Sequence, residues 1–321
     1  MQKISKDITL IIKNQSFRHL FKNSMIFPLF LFCLVFLQCN KRSGGGSETI
    51  QIKGSDTMVN LVQAWVEEFK LVDPSIDIEV SGGGSGVGIA ALERGAVDIA
   101  TASRNIKENE AKEVTENTGK EPVEFIVAFD ALALYVNKNI PIDSITLSDL
   151  ARIYGDDNRA HHWKELNITI PNVKNDKIIR ISRQSSSGTY EFFREKVLNK
   201  KDFSLGSCDM NGSKEVVELV GSTKTAIGYS GMGYATHEIK MLKLMNKADD
   251  TAYAPTVENT LSKKYPLARS LQMYTLGQPD GAIKKFLDWI LSEDGQRLVA
   301  ENGFVPVKSA ATAHDSSDIS R

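Results

Sequence analysis

Four times along this chain a short strand-like run stops at a Gly/Ser/Thr loop and resumes as a helix. The loops are residues 54–57 (GSDT), 81–86 (SGGGSG), 102–104 (ASR) and 183–189 (RQSSSGT). Ahead of the first, residues 49–53 alternate as a half-buried strand does. Behind it, residues 59–69 place Leu61, Val62, Trp65 and Phe69 on one helical face. The second loop joins a strand at 76–80 to a helix at 87–94, with Gly95 as its C-terminal stop. The third follows a strand at 97–100 and leads to a charged helix at about 107–117. The fourth links a strand at 178–182 to a helix at 190–198. Strand, loop and helix in this alternation predict an α/β fold with a mostly parallel sheet. Ligands of such sheets sit outside the carboxyl ends of the strands, where these loops lie.

The rest of the chain extends the pattern. Residues 125–136 are nearly continuously apolar, as a long strand crossing between two lobes would be. A helix at 147–154, a polar turn carrying His161 and His162, a helix around 216–220 and a strand at 227–234 follow. Residues 270–275 read as a second crossover strand, and 282–291 and 296–300 as closing amphipathic helices. A length of 321 residues suits two modest domains sharing a hinge, or one large α/β domain.

What the four loops share is a supply of hydrogen-bond donors. A helix N-terminus leaves its first N–H groups without intrahelical partners, and the macrodipole adds about half a positive charge there. Ser and Thr hydroxyls add donors, and Gly lets the backbone approach an anion closely. Any one such loop is ordinarily a helix cap. Four in one chain, one of them led by Arg183, point instead to an anion site, because a guanidinium offers a permanent charge and a planar fork of donors. Hydrogen bonds to charged groups contribute about 1.5–3 kcal/mol, so about eight to ten donors reach micromolar affinity after association costs.

The first 24 residues carry Lys3, Lys6, Lys13, Arg18 and Lys22 against one acid, Asp7, and an apolar run follows at 25–37. That run is interrupted by Pro28 and is too short to cross a hydrocarbon core, which takes about 20 residues. Residues 1–38 therefore read as a secretory signal, and Cys39 just past the apolar run resembles the lipidated cysteine of a bacterial lipobox. Gln38 and Phe36 depart from the usual lipobox residues. Residues 39–47, with SGGGS at 43–47, read as a flexible tether, and 313–321 as a disordered tail. Removing residues 1–38 takes the formal charge from −1 to −5, which argues against nucleic acid as a partner. Beyond Cys39 the sequence holds one cysteine, Cys208, so no internal disulfide is expected in the mature chain.

From about Thr49 to Lys308 the chain resembles the periplasmic phosphate-binding proteins of phosphate ABC transporters, the PstS family. The most specific match is Arg183, Ser187, Gly188 and Thr189, which look like that family's Arg-x-x-x-Ser-Gly-Thr phosphate loop. Thr57 with the Met58 amide resembles the first-loop contact, and Ser85 the serine of the second loop. The best-known members carry a proton-accepting aspartate after the third strand, where this chain has Ala102, Ser103 and Arg104. Ser103 remains a candidate ligand there, and Asp56 and Asp130 are the carboxylates that could accept a proton in its place.

The resemblance implies a type II periplasmic-binding-protein fold, two α/β lobes joined by two crossover strands. Lobe 1 is expected at 48–128 and 268–312, and lobe 2 at 129–267. It implies binding of inorganic phosphate outside the inner membrane for delivery to ABC permease subunits, without a cofactor, a metal or catalysis. It also implies a monomer, lipid-anchored at Cys39 to a membrane on the periplasmic side of the envelope. The alternatives are a receptor for sulfate or molybdate, a surface adhesin or sensor, and a phosphate-ester hydrolase. The last is disfavoured because residues 83–87 (GGSGV) fail the Gly-x-Ser-x-Gly elbow at its last place.

Overall fold

The computed structural model describes residues 48–156 and 160–307. The expected signal segment, Cys39, the tether at 39–47 and the tail at 313–321 lie outside those residues. In chain order the elements begin with strand β1 (Glu48–Gly54), helix α1 (Val59–Val72), β2 (Ile76–Ser81), α2 (Ser85–Glu93), β3 (Ile99–Ala102) and α3 (Glu108–Thr118). The long strand β4 (Pro122–Asn137) follows, then β5 (Ser144–Thr146), α4 (Leu147–Tyr154), β6 (Ile179–Arg183), α5 (Gly188–Lys196), β7 (Cys208–Met210) and α6 (Ser213–Ser222). The chain continues through β8 (Ala226–Gly231), β9 (Ile239–Met241), β10 (Lys243–Met245), α7 (Val257–Leu261), β11 (Ala268–Leu276), α8 (Gly281–Ile290) and α9 (Glu293–Glu301).

The main sheet runs β2-β1-β3-β11-β4-β8-β6-β7, with β9 also on β4. Its two ends are parallel: β1 pairs β2 and β3, and β6 pairs β7 and β8. Its middle is antiparallel, because β11 runs against β3 and β4, and β4 against β8. The expected mostly parallel sheet is thus a mixed one. The physical reason is that the crossover strands carry the chain out of one half and back, so each opposes its neighbours.

Buried apolar side chains divide on these same two strands. Val127 and Ala128 of β4 and Leu271 and Met273 of β11 pack with Ile50, Trp65, Phe69 and Phe286. Ala131, Leu132 and Leu134 of β4 pack with Tyr154, Trp163, Phe193 and Tyr229, and Leu267, just before β11, joins them. Helices cover both faces around β4, so its second half is buried residue after residue and shows no alternation. Helix α1 buries the four residues its periodicity picked out, and Trp65 also donates its indole N–H to Gly295 O at 2.8 Å, tying α1 to α9. No described helix is long and apolar enough to cross a membrane.

Candidate functional site

The loops after β1, β2, β3 and β6 meet. Thr57 and Thr189, 132 residues apart in sequence, bring their hydroxyl oxygens to 2.8 Å of each other, and both are out of contact with water. Ser85, the first residue of α2, accepts the Ser103 amide on Oγ at 3.0 Å, with the Ser103 hydroxyl 3.4 Å away. Gly188 opens α5 against this pair, so its N–H has no intrahelical acceptor. A methyl group on Gly188 would stand 2.3 Å from Ser85 Oγ and 2.8 Å from Ser103 Oγ. Ser187 caps α5, its Oγ accepting the amides of Thr189 and Tyr190, which leaves its own proton to donate elsewhere.

Arg183 ends β6 with its guanidinium fully buried. Nη1 donates to Ser213 Oγ at 2.9 Å and Nη2 to Asn211 O at 2.8 Å, with Asp56 Oδ2 farther off at 3.4 Å. Nε has no acceptor. Burial pulls the guanidinium below its ordinary pKa, with Asp56 opposing. A buried donor without a partner is costly, which makes Arg183 Nε a candidate donor to a ligand. Ser55 Oγ, in the first loop, is likewise buried without a partner.

Contacts across the two halves hold the loops together. The Gly86 amide donates to Ser186 O at 3.0 Å, and the Ser186 hydroxyl donates to Gly83 O at 3.1 Å. Gly84 has φ +98°, and a Cβ there would stand 2.4 Å from Ser186 O, so this crossing needs a residue without a side chain. Lys107 pairs with Glu191 at 3.0 Å, and the Tyr234 hydroxyl lies 3.0 Å from the carbonyls of both Asp56 and Thr57.

Two of the expected site groups have partners of their own here. The Met58 amide is not a free donor: it donates to Ser55 O at 3.0 Å inside its own turn. Asp130 is not a free proton acceptor, because Oδ2 accepts Nε and Nη2 of Arg269 at 3.0 and 2.8 Å and Oδ1 accepts the Met232 amide. Burial raises its carboxyl pKa against the lowering pull of Arg269. Asp56 is the more available carboxylate, with Oδ1 accepting the Gly83 amide at 2.8 Å and Oδ2 loosely facing Arg183.

Sequence reasoning missed Arg269, Ser213 and Asn211. Arg269 is a lone cation in an otherwise apolar and polar-neutral strand, which is a readable signal. Ser213 belongs to a fifth strand-loop-helix turn whose strand, β7, is only three residues long and has no apolar pattern.

A cavity of about 300 Å³ lined by Asn60, Tyr234, Glu301, Asn302 and Phe304 carries no cation, so its chemistry does not suit an anion. His162 is bound to Asp176 at 2.8 Å on its turn, and no group of three His, Cys, Asp or Glu among the described residues could hold a metal ion.

The fit at Gly188 gives a direct expectation. Gly188→Ala should weaken anion binding by about tenfold or more, since overpacking costs about 1–3 kcal/mol and here falls on the hydroxyls that would face the ligand. Calorimetric titration with phosphate checks it, and unchanged affinity would remove Gly188 from the site.

A sequence profile for the PBP superfamily domain matches residues 40–294. The phosphate-binding protein PstS of Pseudomonas aeruginosa is 32% identical over 277 residues, covering 83% of this chain and 85% of the relative. The PstS protein of Bacillus subtilis is 30% identical over 281 residues, covering 86% and 88%. A phosphate ABC transporter substrate-binding protein from Clostridium perfringens, crystallised with phosphate, superposes with a TM-score of 0.71 at 29% identity, covering 81% of this chain and all of that one.

Proposed function

The chain belongs to the PBP superfamily and, within it, to the PstS phosphate-binding proteins, and from that premise we propose that it captures inorganic phosphate for an ABC importer. Its fold is the two-lobed α/β periplasmic-binding-protein fold. One observation carries the reading to this chain's own residues: the convergence of Thr57, Ser85, Ser103, Gly188 and Thr189 beside a buried Arg183 with an unpartnered Nε.

In this reading lobe 1 comprises 48–128 and 268–312 and lobe 2 comprises 129–267, each moving as a unit about β4 and β11. Thr57, Ser85 and Ser103 present hydroxyl donors from lobe 1. Arg183, the hydroxyls of Ser187 and Thr189, and the Gly188 amide close from lobe 2. Closure removes the anion from water, which strengthens each charge-assisted bond. The closed pair of lobes is the form that permease subunits receive. The protein works as a monomer and as a receptor, with no bond of its ligand made or broken.

Asp56 supplies selectivity. Phosphate near neutral pH still carries a proton and sulfate does not, so a carboxylate acceptor in the site favours phosphate and repels sulfate. Competition calorimetry with phosphate, sulfate and molybdate tests the reading: phosphate should bind at micromolar concentration or below and the others far more weakly. Sulfate binding as tightly as phosphate would overturn it. Asp56→Asn should narrow the phosphate preference by about tenfold, the value of one charged hydrogen bond; an unchanged ratio would exclude Asp56.

The N-terminus carries the location. A signal at 1–38 directs export and is removed, and a lipidated Cys39 holds the receptor by a tether at the periplasmic face of a membrane. Cys39→Ser should release an unlipidated form into the soluble fraction on cell fractionation, and unchanged membrane partitioning would rule the anchor out.

A further inference from the structure

Arg269 stands where both crossover strands and both lobes meet. It lies on β11 directly across from Asp130 on β4, and neither side chain is exposed to water beyond 2%. Asp130 Oδ2 occupies one edge of the guanidinium, accepting from both Nε and Nη2, and the Phe192 ring packs 5.5 Å from its centre. Its position is therefore fixed, and one nitrogen, Nη1, is left to reach outward. Nη1 donates to Thr189 Oγ1 at 3.0 Å and lies 3.2 Å from Ser103 O.

A guanidinium has donors and no acceptor, so Thr189 Oγ1 can only accept from it. One of Thr189's lone pairs is thereby occupied, and its proton turns away from Arg269. Thr57 Oγ1 sits 2.8 Å off, on the other lobe. Whichever threonine donates to the other, one hydroxyl proton of the pair remains for a third group. A charged donor at the head of such a chain strengthens the bonds that follow it. Asp130 meanwhile balances the charge, so Arg269 acts on the site through hydroxyl orientation and not as a second free cation.

We propose that Arg269 is a positioning residue that orients the Thr189 and Thr57 hydroxyls so that the one proton left over from their mutual bond is offered to the bound anion. The inference rests on the phosphate-receptor reading above. Its consequence for specificity is that this corner of the site takes an unprotonated oxygen, and a proton carried by the ligand must find its acceptor elsewhere, at Asp56.

A double-mutant cycle separates this role from a structural one. Asp130→Leu with Arg269→Met removes the pair without leaving a buried lone charge, and Thr189→Val removes the hydroxyl it addresses. Phosphate dissociation constants are measured by calorimetry for the wild type, the pair replacement, Thr189→Val and the triple variant. The pair replacement should weaken binding by about tenfold when Thr189 is present and by less than about threefold in the Thr189→Val background. Equal losses in both backgrounds would overturn the proposal, because a structural Arg269 acts regardless of the hydroxyl. Should the pair replacement not fold, as judged by thermal melting, Arg269→Lys serves in its place. Lysine keeps the charge but cannot hold Asp130 and reach Thr189 together, and the same dependence on Thr189 is expected. A wild-type protein that does not bind phosphate would remove the receptor reading and this inference together; phosphate binding with additive losses would remove only this inference.

Discussion

Arg183→Ala should weaken phosphate binding by at least tenfold while the protein still folds. The guanidinium is fully buried at the end of β6, held by Ser213 and Asn211 O, with Nε unpartnered. Each hydrogen bond to a charged group is worth about 1.5–3 kcal/mol, and each 1.4 kcal/mol is a factor of ten, so the one unpartnered donor, Nε, amounts to about tenfold or more. The fold should survive because the truncation leaves a polar space, bordered by Asp56, Ser213 and Asn211 O, that water can enter. Calorimetry gives the affinity and circular dichroism the fold. Near-wild-type affinity in a folded variant would contradict the assignment of Arg183.

Asp130→Ala should cost about 3–5 kcal/mol of stability, since breaking a buried ion pair from one side leaves the other charge unpaired in a place water does not reach. Arg269 is that charge, and its other contacts, Thr189 Oγ1 and Ser103 O, are neutral. In a protein of this size such a loss lowers the melting temperature by roughly 5–10 °C. Removing both partners, with Asp130→Leu and Arg269→Met, should cost far less, because apolar groups of similar volume replace a buried pair well. Urea titration of the variants compares them. A single-variant loss below about 1 kcal/mol would mean that solvent or another group already satisfies Arg269.

How much of this could be read from residue order differs by element, for physical reasons. Helix α1 was legible because Leu61, Val62, Trp65 and Phe69 recur at helical spacing and pack on one side. Strand β4 was legible as an element from its apolar length, but not the pairing that makes the sheet mixed. Alternation and length report burial, whereas strand direction is set by where the chain must return. The short strands β5, β7, β9 and β10 were invisible because three residues carry no periodicity.

The candidate site divides in the same way. Thr57, Ser85, Ser103 and the segment from Arg183 to Thr189 were legible because donor-rich loops before helices have a composition of their own. Which donors are free was not. The Met58 amide is taken up by a turn inside its own loop, and Asp130 by a residue 139 positions away. Partnership across that separation depends on the register of β4 with β11, which no local pattern encodes. Arg269 was missed for the same reason, since its role exists only once Asp130, Thr189 and Ser103 surround it.

The most direct test of the donor convergence is a crystal structure of the protein grown with phosphate, at a resolution that fixes the anion's oxygens. The expected result is one phosphate enclosed between the lobes, within about 3 Å of the Thr57, Ser85, Ser103 and Thr189 hydroxyls and of Arg183 Nε. A phosphate bound at another place, or an Arg183 that keeps Nε turned away from it, would contradict the account.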